Sequence, residues 1–373
     1  MTRTVLKDAL PFWGSLLLIP LAWAGAVWGG WSVLLVVLGS WVMVSVLDAV
    51  TGLNTNNQDP MRPDASLVWY RLITWVWPFV QGVTVFGIIA YVTARGHLGL
   101  FEMIGLGVSL GILSGAIGIV YAHELIHQKG RGERWLGDIL MGMALYGHFR
   151  TEHLRVHHRY VCTPKDPATA LYNEGFYRFF PRVVRASLAS AWAAEAALLA
   201  RKGLPVWHRS NPFWRYGAFQ VGFLALAFWL GGWAGLALFL LHAFVAVWQL
   251  ELVNYIEHYG LTRKHLGDGA YEHTQPHHSW NASHRASNWL LINLQRHSDH
   301  HYKPDRRFPL LQTWGPDTAP QLPYGYAVMG TLAMIPPLWR RRMNPRVRAW
   351  RAAFYPEIAD WGPYKLATNP MPR

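Results

Sequence analysis

FEMIGLGVSLGILSGAIGIVYAHELIH, residues 101–127, carries one charge, Glu102, before Glu124 and ends on two histidines four positions apart. About 20 apolar residues are enough for a helix to cross a bilayer. The stretch therefore reads as a membrane span near 101–122 whose continuation carries HELIH at 123–127. Residues three or four apart share a helix face, so His123 and His127 can aim at one point.

Five more apolar stretches flank it, giving six spans near 9–29, 31–52, 73–93, 101–122, 213–231 and 234–256. The whole chain agrees: of 373 residues 52% are hydrophobic, 15% are charged and 21 are tryptophan, whereas a soluble domain of this length would carry more charge. The links between spans one and two and between spans five and six are short and rich in Gly and Trp, which predicts tight hairpins. The first apolar run after Arg3 and Lys7 leads straight into the second without a small-residue cleavage pattern, so the chain is expected to insert by its own spans. No repeat array or low-complexity tract interrupts it.

The net charge of +13 would suggest nucleic acid in a soluble protein, but no nucleic-acid module is present and the basic residues follow topology instead. Residues 123–212 hold 13 of the 34 Lys and Arg and residues 261–373 hold 15, while the links on the opposite face contribute only Arg95. This asymmetry places both termini and every histidine cluster on the cytoplasmic side. The expected fold is an all-α integral membrane protein, one integrated unit over 1–373, with six transmembrane helices and a cytoplasmic helical cap at 123–212 and 257–373. Segments 134–149 and 183–202 have the spacing of helices lying at the interface. The tail from 326, with RRR at 340–342, suggests a short interfacial helix and a contact with anionic membrane lipid.

Three further segments join HELIH: EHLRVHH at 152–158, EHYG at 257–260 and LQRHSDHH at 294–301. His153 pairs with His157 by helical spacing, with His158 beside them; His297, His300 and His301 repeat the pattern, and His258 closes the last span. A lone histidine in an interfacial helix is usually a hydrogen-bonded structural group, but nine gathered on one membrane face point to metal. Imidazole accepts zinc, copper, iron or nickel, so ligand type alone does not choose the ion. The single cysteine, Cys162, excludes a disulfide within the sequence and any four-cysteine iron site. Glu124, Glu152, Glu257 and Asp299 each adjoin a candidate ligand and are expected to accept the other ring N–H of a histidine.

The remaining histidines fit quieter roles. His97 lies on the far face, His208 and His265 fall in loops, and His242, inside a span, suits a hydrogen bond to a neighbouring helix; His148 lies close enough to support the clusters. EHTQPHH at 272–278 copies the spacing of EHLRVHH, but Pro276 breaks the helix that makes the spacing useful, which sets His273, His277 and His278 aside. Asp48, in LDAVTGLN at 47–54, is read as a buried partner of the cap or a group lining the site.

At these residues the sequence resembles the membrane alkane 1-monooxygenases, integral-membrane non-haem di-iron hydroxylases. HELIHQK, TEHLRVHH and LQRHSDHH resemble their three histidine boxes, NYIEHYGL at 254–261 an additional signature, and YGHF, TPKDPA and QPHHSWN further matches across residues 45–310. Val156 stands where that family usually has Gly, and Gln128 where Lys is common; neither change removes a histidine. The resemblance implies two non-haem irons, O2 as co-substrate, terminal hydroxylation of medium-chain linear alkanes, and a bacterial inner membrane. It also implies electrons from rubredoxin, a separate acidic iron–sulfur protein reduced by a flavin reductase with NAD(P)H.

An alkane has no polar handle, so its site should be an apolar channel rising from the bilayer between spans; Trp41 in span two is the candidate gauge of chain length. Related xylene monooxygenases and acyl desaturases keep a second enzyme reading open, on acyl chains or aromatic methyl groups. A haem-carrying electron-transfer protein would place paired histidines within opposing spans, and a transporter would need polar ligands along a membrane path; neither matches histidines standing just beyond span ends.

Overall fold

The computed structural model describes residues 2–359, with side chains from Leu6 onward; residues 360–373 of the tail read as cytoplasmic lie outside the described residues. Among the described residues, six helices are long and apolar enough to cross a membrane: Leu6–Trp28, Gly30–Thr51, Asp64–Arg95, Leu100–His127, Phe176–Ala200 and Phe213–His258. Strand structure among the described residues is confined to the pair His265–Gly267 and Ala270–Tyr271. The chain is an all-α integral membrane protein.

Two of these helices differ from the sequence reading. Spans five and six form one helical stretch of 46 residues, which unbroken would measure about 69 Å at 1.5 Å per residue. Gly232, at φ 57° and ψ −147°, breaks it in a conformation that residues with a Cβ avoid. Beyond the break the chain doubles back: a Cβ on Gly235 would stand 2.7 Å from the Ala227 carbonyl, and the Phe228 and Trp233 rings lie 5.1 Å apart. The stretch is thus the tight hairpin that its Gly- and Trp-rich link predicts.

Phe176–Ala200 starts earlier than the 183–202 segment and is a longer helix. Both of its ends are tied to the segment 151–169. Arg182 donates to the Pro167 and Thr169 carbonyls near its start, and Glu195 accepts from Thr151 and Arg155 near its end. Phe179, Val183, Ser187, Ala191 and Glu195 form its buried stripe. The helix read over 134–149 is Arg131–Met143; it stops there because Leu145 takes φ 55°.

Leu100–His127 is the most enclosed of the six. Gly107, Gly111 and Gly115 form a glycine strip along it, and a Cβ on each would meet Leu241, Val245 and Gln249 of the returning limb. Small residues at this spacing let two helices approach closely in a membrane. The lone charge near its start acts locally. Glu102 accepts from the backbone N–H of Gly30 at 2.5 Å and of Gly99 at 2.6 Å, tying two turns of the far face together. Three π-helical turns occur among the described residues, at Leu38–Met43, Ser114–Ile119 and His153–His157. The last element, Pro336–Phe354, buries Trp339, Met343, Val347 and Trp350 and exposes Arg340, Arg341, Arg342 and Arg348.

Candidate metal centre

The final turn of Leu100–His127 delivers His123 and His127, the segment 149–160 delivers His153, His157 and His158, the end of Phe213–His258 delivers His258, and the short helix His297–Tyr302 delivers His297, His300 and His301. Their ring nitrogens gather in two adjoining groups. One holds His123, His127, His153, His158 and His300; the other holds His157, His258, His297 and His301, and within each group the facing atoms lie within 4.8 Å of one another. In the first group Nε2 of His153 stands 2.9 Å from that of His127 and 3.0 Å from that of His158. In the second, Nε2 of His301 lies 3.0 Å from that of His297, and His297 3.2 Å from His258.

The pairing of His153 with His157 expected from α-helical spacing is not the one formed. A π turn over 153–157, in which the His158 N–H reaches back five residues to the His153 carbonyl, widens the helix so that residues five apart share a face. His153 and His158 therefore join one group and His157 swings to the other. Single π turns recur at functional sites for this kind of re-aiming.

Burial holds the imidazoles of His153, His158, His297, His300 and His301 well below the ordinary histidine range, and the neighbouring rings push in the same direction. They are neutral, so each has one nitrogen with a free lone pair. Neutral rings whose Nε2 atoms face each other at about 3 Å do not carry enough protons to hydrogen-bond in every pair. A divalent cation at the centre of each group removes the conflict, and imidazole donors suit zinc, copper, iron or nickel. The residues therefore fit two metal ions.

A family model described as fatty acid desaturase matches residues 99–333. Alkane 1-monooxygenase 2 of Pseudomonas aeruginosa is 40% identical over 372 residues, covering 95% of this chain and 93% of the relative. This chain belongs to the alkane 1-monooxygenase family. Among other relatives, alkane 1-monooxygenase 1 of the same organism is 40% identical over 82% of the chain and 81% of its own length. The xylene/toluene monooxygenase hydroxylase component XylM of Pseudomonas putida is 30% identical over 72% of each.

In this member of the alkane 1-monooxygenases the acids next to the ligand candidates take several paths. Glu257 places Oε2 3.2 Å from His297 Nε2, on the converging side of the ring, and accepts at 2.7 Å from Tyr326. Glu152 is buried with Oε1 unpartnered among the described residues; burial, then the charges of Asp166 and Glu251, hold its carboxyl well above the usual range. Glu124 turns to Gln128, whose Nε2 donates to it at 3.0 Å. Asp299 accepts from Arg306 at 2.5 Å and from the Gln312 N–H at 2.9 Å. For Glu124 and Asp299 the expected contact with a ring gives way to these partners, because adjacent helical residues point about 100° apart and their surroundings decide what they meet.

The carboxylate that holds a ring from its outer nitrogen, Nδ1 of His157, is Asp166, which sequence reasoning missed. His157 Nδ1–H donates to its Oδ2 at 3.0 Å, the Thr169 hydroxyl donates to the same oxygen at 2.6 Å, and the Ala168 N–H donates to Oδ1 at 3.1 Å. Burial raises its carboxyl, but His157 and Thr169 outweigh burial and leave it below the ordinary range. The pair fixes His157 with Nε2 unprotonated and facing its group. The signal was present in TPKDPA, whose Asp-Pro turn follows the second histidine box.

The set-aside histidines lie outside both groups. His242 bonds the Ser114 hydroxyl at 2.7 Å, His97 the Ala26 carbonyl, and His208 the Ser210 hydroxyl. His278 meets the Tyr355 hydroxyl at 2.8 Å, His265 packs on Tyr271, and His148 packs on Tyr146. Asp48 is buried and accepts from the Ser287 N–H at 2.8 Å, a partner in the cap.

A cavity of about 890 Å³, including its open mouth, reaches these groups. His123, His153, His297 and Glu257 contribute to its lining, and Trp41, Val44, Ile119, Leu250 and Leu291 are among the apolar residues that wall it. The π turns at 38–43 and 114–119 both contribute to its lining.

Proposed function

We propose that the protein hydroxylates the terminal carbon of medium-chain linear alkanes at a two-iron centre held by the nine imidazoles. The balance is R–CH3 + O2 + 2 electrons + 2 protons giving R–CH2OH + H2O. The carrying observation is the apolar cavity whose lining includes His123, His153 and His297 of the two histidine groups. Iron supplies the redox cycling and O2 chemistry that zinc cannot. The chain's own residues do the rest. The largely apolar walls suit a hydrocarbon, Trp41 bounds the space available to it, and Asp166 fixes the His157 ring. Glu152, buried beside His153, and Glu257, hydrogen-bonded to Tyr326, are the two acids placed to hold or pass protons.

The electrons come from rubredoxin, fed by its reductase and NAD(P)H. His127 and His158 are the half-buried members of the first group, and exposed Lys129, Arg155, Arg159 and Lys303 surround them in sequence. Such a surface attracts an acidic carrier, with a rate that falls as salt rises. Positive charge on this face also fits a cytoplasmic orientation in a bacterial inner membrane, one integrated unit with its arginine-rich tail helix at anionic lipid.

The test is metal content together with product identity. Purified protein should hold two irons per chain and, with rubredoxin, reductase and NADH, convert octane to 1-octanol. A fully iron-loaded sample that forms no alkanol overturns the reading. The match to XylM and to the desaturase family model supports a second reading, on aromatic methyl groups or acyl chains, and xylene and acyl substrates in the same assay decide between them.

A further inference from the structure

Arg131, Arg134, Trp135, Arg150 and Arg215 line a second pocket of about 580 Å³, its open mouth included, in which no histidine of the two groups takes part. Arg131, Arg134 and Trp135 stand at positions i, i+3 and i+4 of the helix Arg131–Met143 and share one of its faces. Asp138, at i+7, belongs to the same face. Its side chain is fully buried, and its Oδ2 accepts from Arg150 Nη1 at 2.7 Å and from Arg215 Nε at 2.8 Å. Glu133, the other acid of this helix, is taken up by Arg307 and Trp75. Arg131 and Arg134 form no ion pair or side-chain hydrogen bond among the described residues. Four guanidinium groups thus face one carboxylate, an excess of three positive charges. Like charges held together repel, and an anion between them relieves the repulsion.

We propose that this pocket holds the phosphodiester headgroup of an acidic membrane phospholipid. The planar guanidinium fork matches phosphate oxygens, and Arg150 and Arg215 each spend a single N–H on Asp138, which leaves further donors for a ligand. The surroundings select a lipid over a soluble phosphate. Trp135 is 49% exposed, packs its ring 5.8 Å from Phe219, and lies under Arg215 at 5.1 Å. Trp214 and Trp207, exposed and 6.0 Å apart, flank the start of the same span. Exposed tryptophan at the end of a span marks the headgroup level of a bilayer. Arg215 is the third residue of Phe213–His258, so the guanidinium groups stand where that span meets the membrane surface, and basic pockets between spans suit acidic headgroups. A zwitterionic headgroup brings a cation of its own, which the arginines repel. The site is separate from the tail helix, none of whose arginines lines it. Arg150 precedes His153 by three residues, and Arg215 stands at the start of the stretch that ends on His258. A headgroup between them therefore ties together two segments that supply imidazoles. The proposal depends on neither the substrate nor the electron donor.

The experiment follows lipid binding to the full chain in detergent, by native mass spectrometry and by thermal midpoint, in micelles of phosphatidylcholine with and without phosphatidylglycerol. It compares wild type with Arg131→Gln/Arg134→Gln and with Arg201→Gln/Lys202→Gln. The second pair removes the same charge from exposed residues that do not line the pocket. Wild type should retain phosphatidylglycerol in preference to phosphatidylcholine and gain in thermal midpoint from it. The pocket variant should bind phosphatidylglycerol roughly thirtyfold more weakly, about fivefold for each basic residue removed, and lose the gain in midpoint; the control variant should behave as wild type. Equal losses in the two variants, or none in the pocket variant, overturn the proposal. Inorganic phosphate in place of the lipid should leave the midpoint unmoved, and a shift with phosphate alone overturns the lipid assignment in favour of a soluble anion. A pocket variant that keeps wild-type lipid affinity but is slowed in rubredoxin-driven turnover makes the patch a protein-docking surface and overturns it equally.

Discussion

Asp166→Asn changes one buried atom and isolates how the chain prepares its second histidine group. Asp166 accepts from His157, Thr169 and the Ala168 N–H at once, and no orientation of an asparagine satisfies all three. With its carbonyl toward His157, the amide nitrogen meets the Ala168 N–H, donor against donor. With the carbonyl toward Ala168, the amide nitrogen meets His157 Nδ1, which must then give up its proton and move it to Nε2, blocking the lone pair that faces His258, His297 and His301. Either way a hydrogen bond to a charged acceptor is lost, worth about 1.5–3 kcal/mol, or roughly a 10- to 100-fold loss in metal affinity. The assay is iron retained per chain during dialysis against a graded series of chelator concentrations, alongside alkane turnover. The variant should release about half its iron, one ion of two, at roughly 10- to 100-fold lower chelator than wild type. Wild-type retention at every chelator concentration would refute the idea that Asp166 sets the tautomer of His157.

Gly111→Ala should destabilise the protein by about 1–3 kcal/mol through overpacking, read as a lower thermal midpoint, because its Cβ would lie 2.5 Å from Val245 Cβ and 2.7 Å from the His242 carbonyl. Arg307→Ala removes the partner shared by Glu133 at 2.7 Å and Asp64 at 3.1 Å and leaves the buried Glu133 under-compensated; the loss is about 3–5 kcal/mol for a broken buried pair, and Arg307→Lys should recover part of it. Trp41→Ser enlarges the cavity, and gas chromatography of products from a mixed alkane series should show a shift toward longer chains, whereas an unchanged profile would place the limit on chain length elsewhere. Lys129→Glu with Arg159→Glu should slow rubredoxin-driven turnover severalfold and flatten its dependence on salt, while iron content stays at the wild-type level.

The sequence and the structure part company where backbone geometry departs from the regular helix. The six apolar runs, the hairpin turns at Gly29–Gly30 and Gly232, and the residues that supply the two imidazole groups were legible, because hydropathy and composition report them directly. Which imidazole joins which group was not. Periodicity of 3.6 assigns His153 to His157, and only the π turn over 153–157 reveals that His153 belongs with His158; a π turn has no reliable signature in side-chain pattern. The outer carboxylates failed for a related reason. Proximity in sequence selected Glu124 and Asp299, which the helix turns toward Gln128 and Arg306, whereas Asp166 reaches His157 from nine residues away after the chain reverses at Cys162, φ 59°. A residue that supports a ligand has to approach the ring from outside, so it comes from a turn or a neighbouring element more readily than from the ligand's own helix.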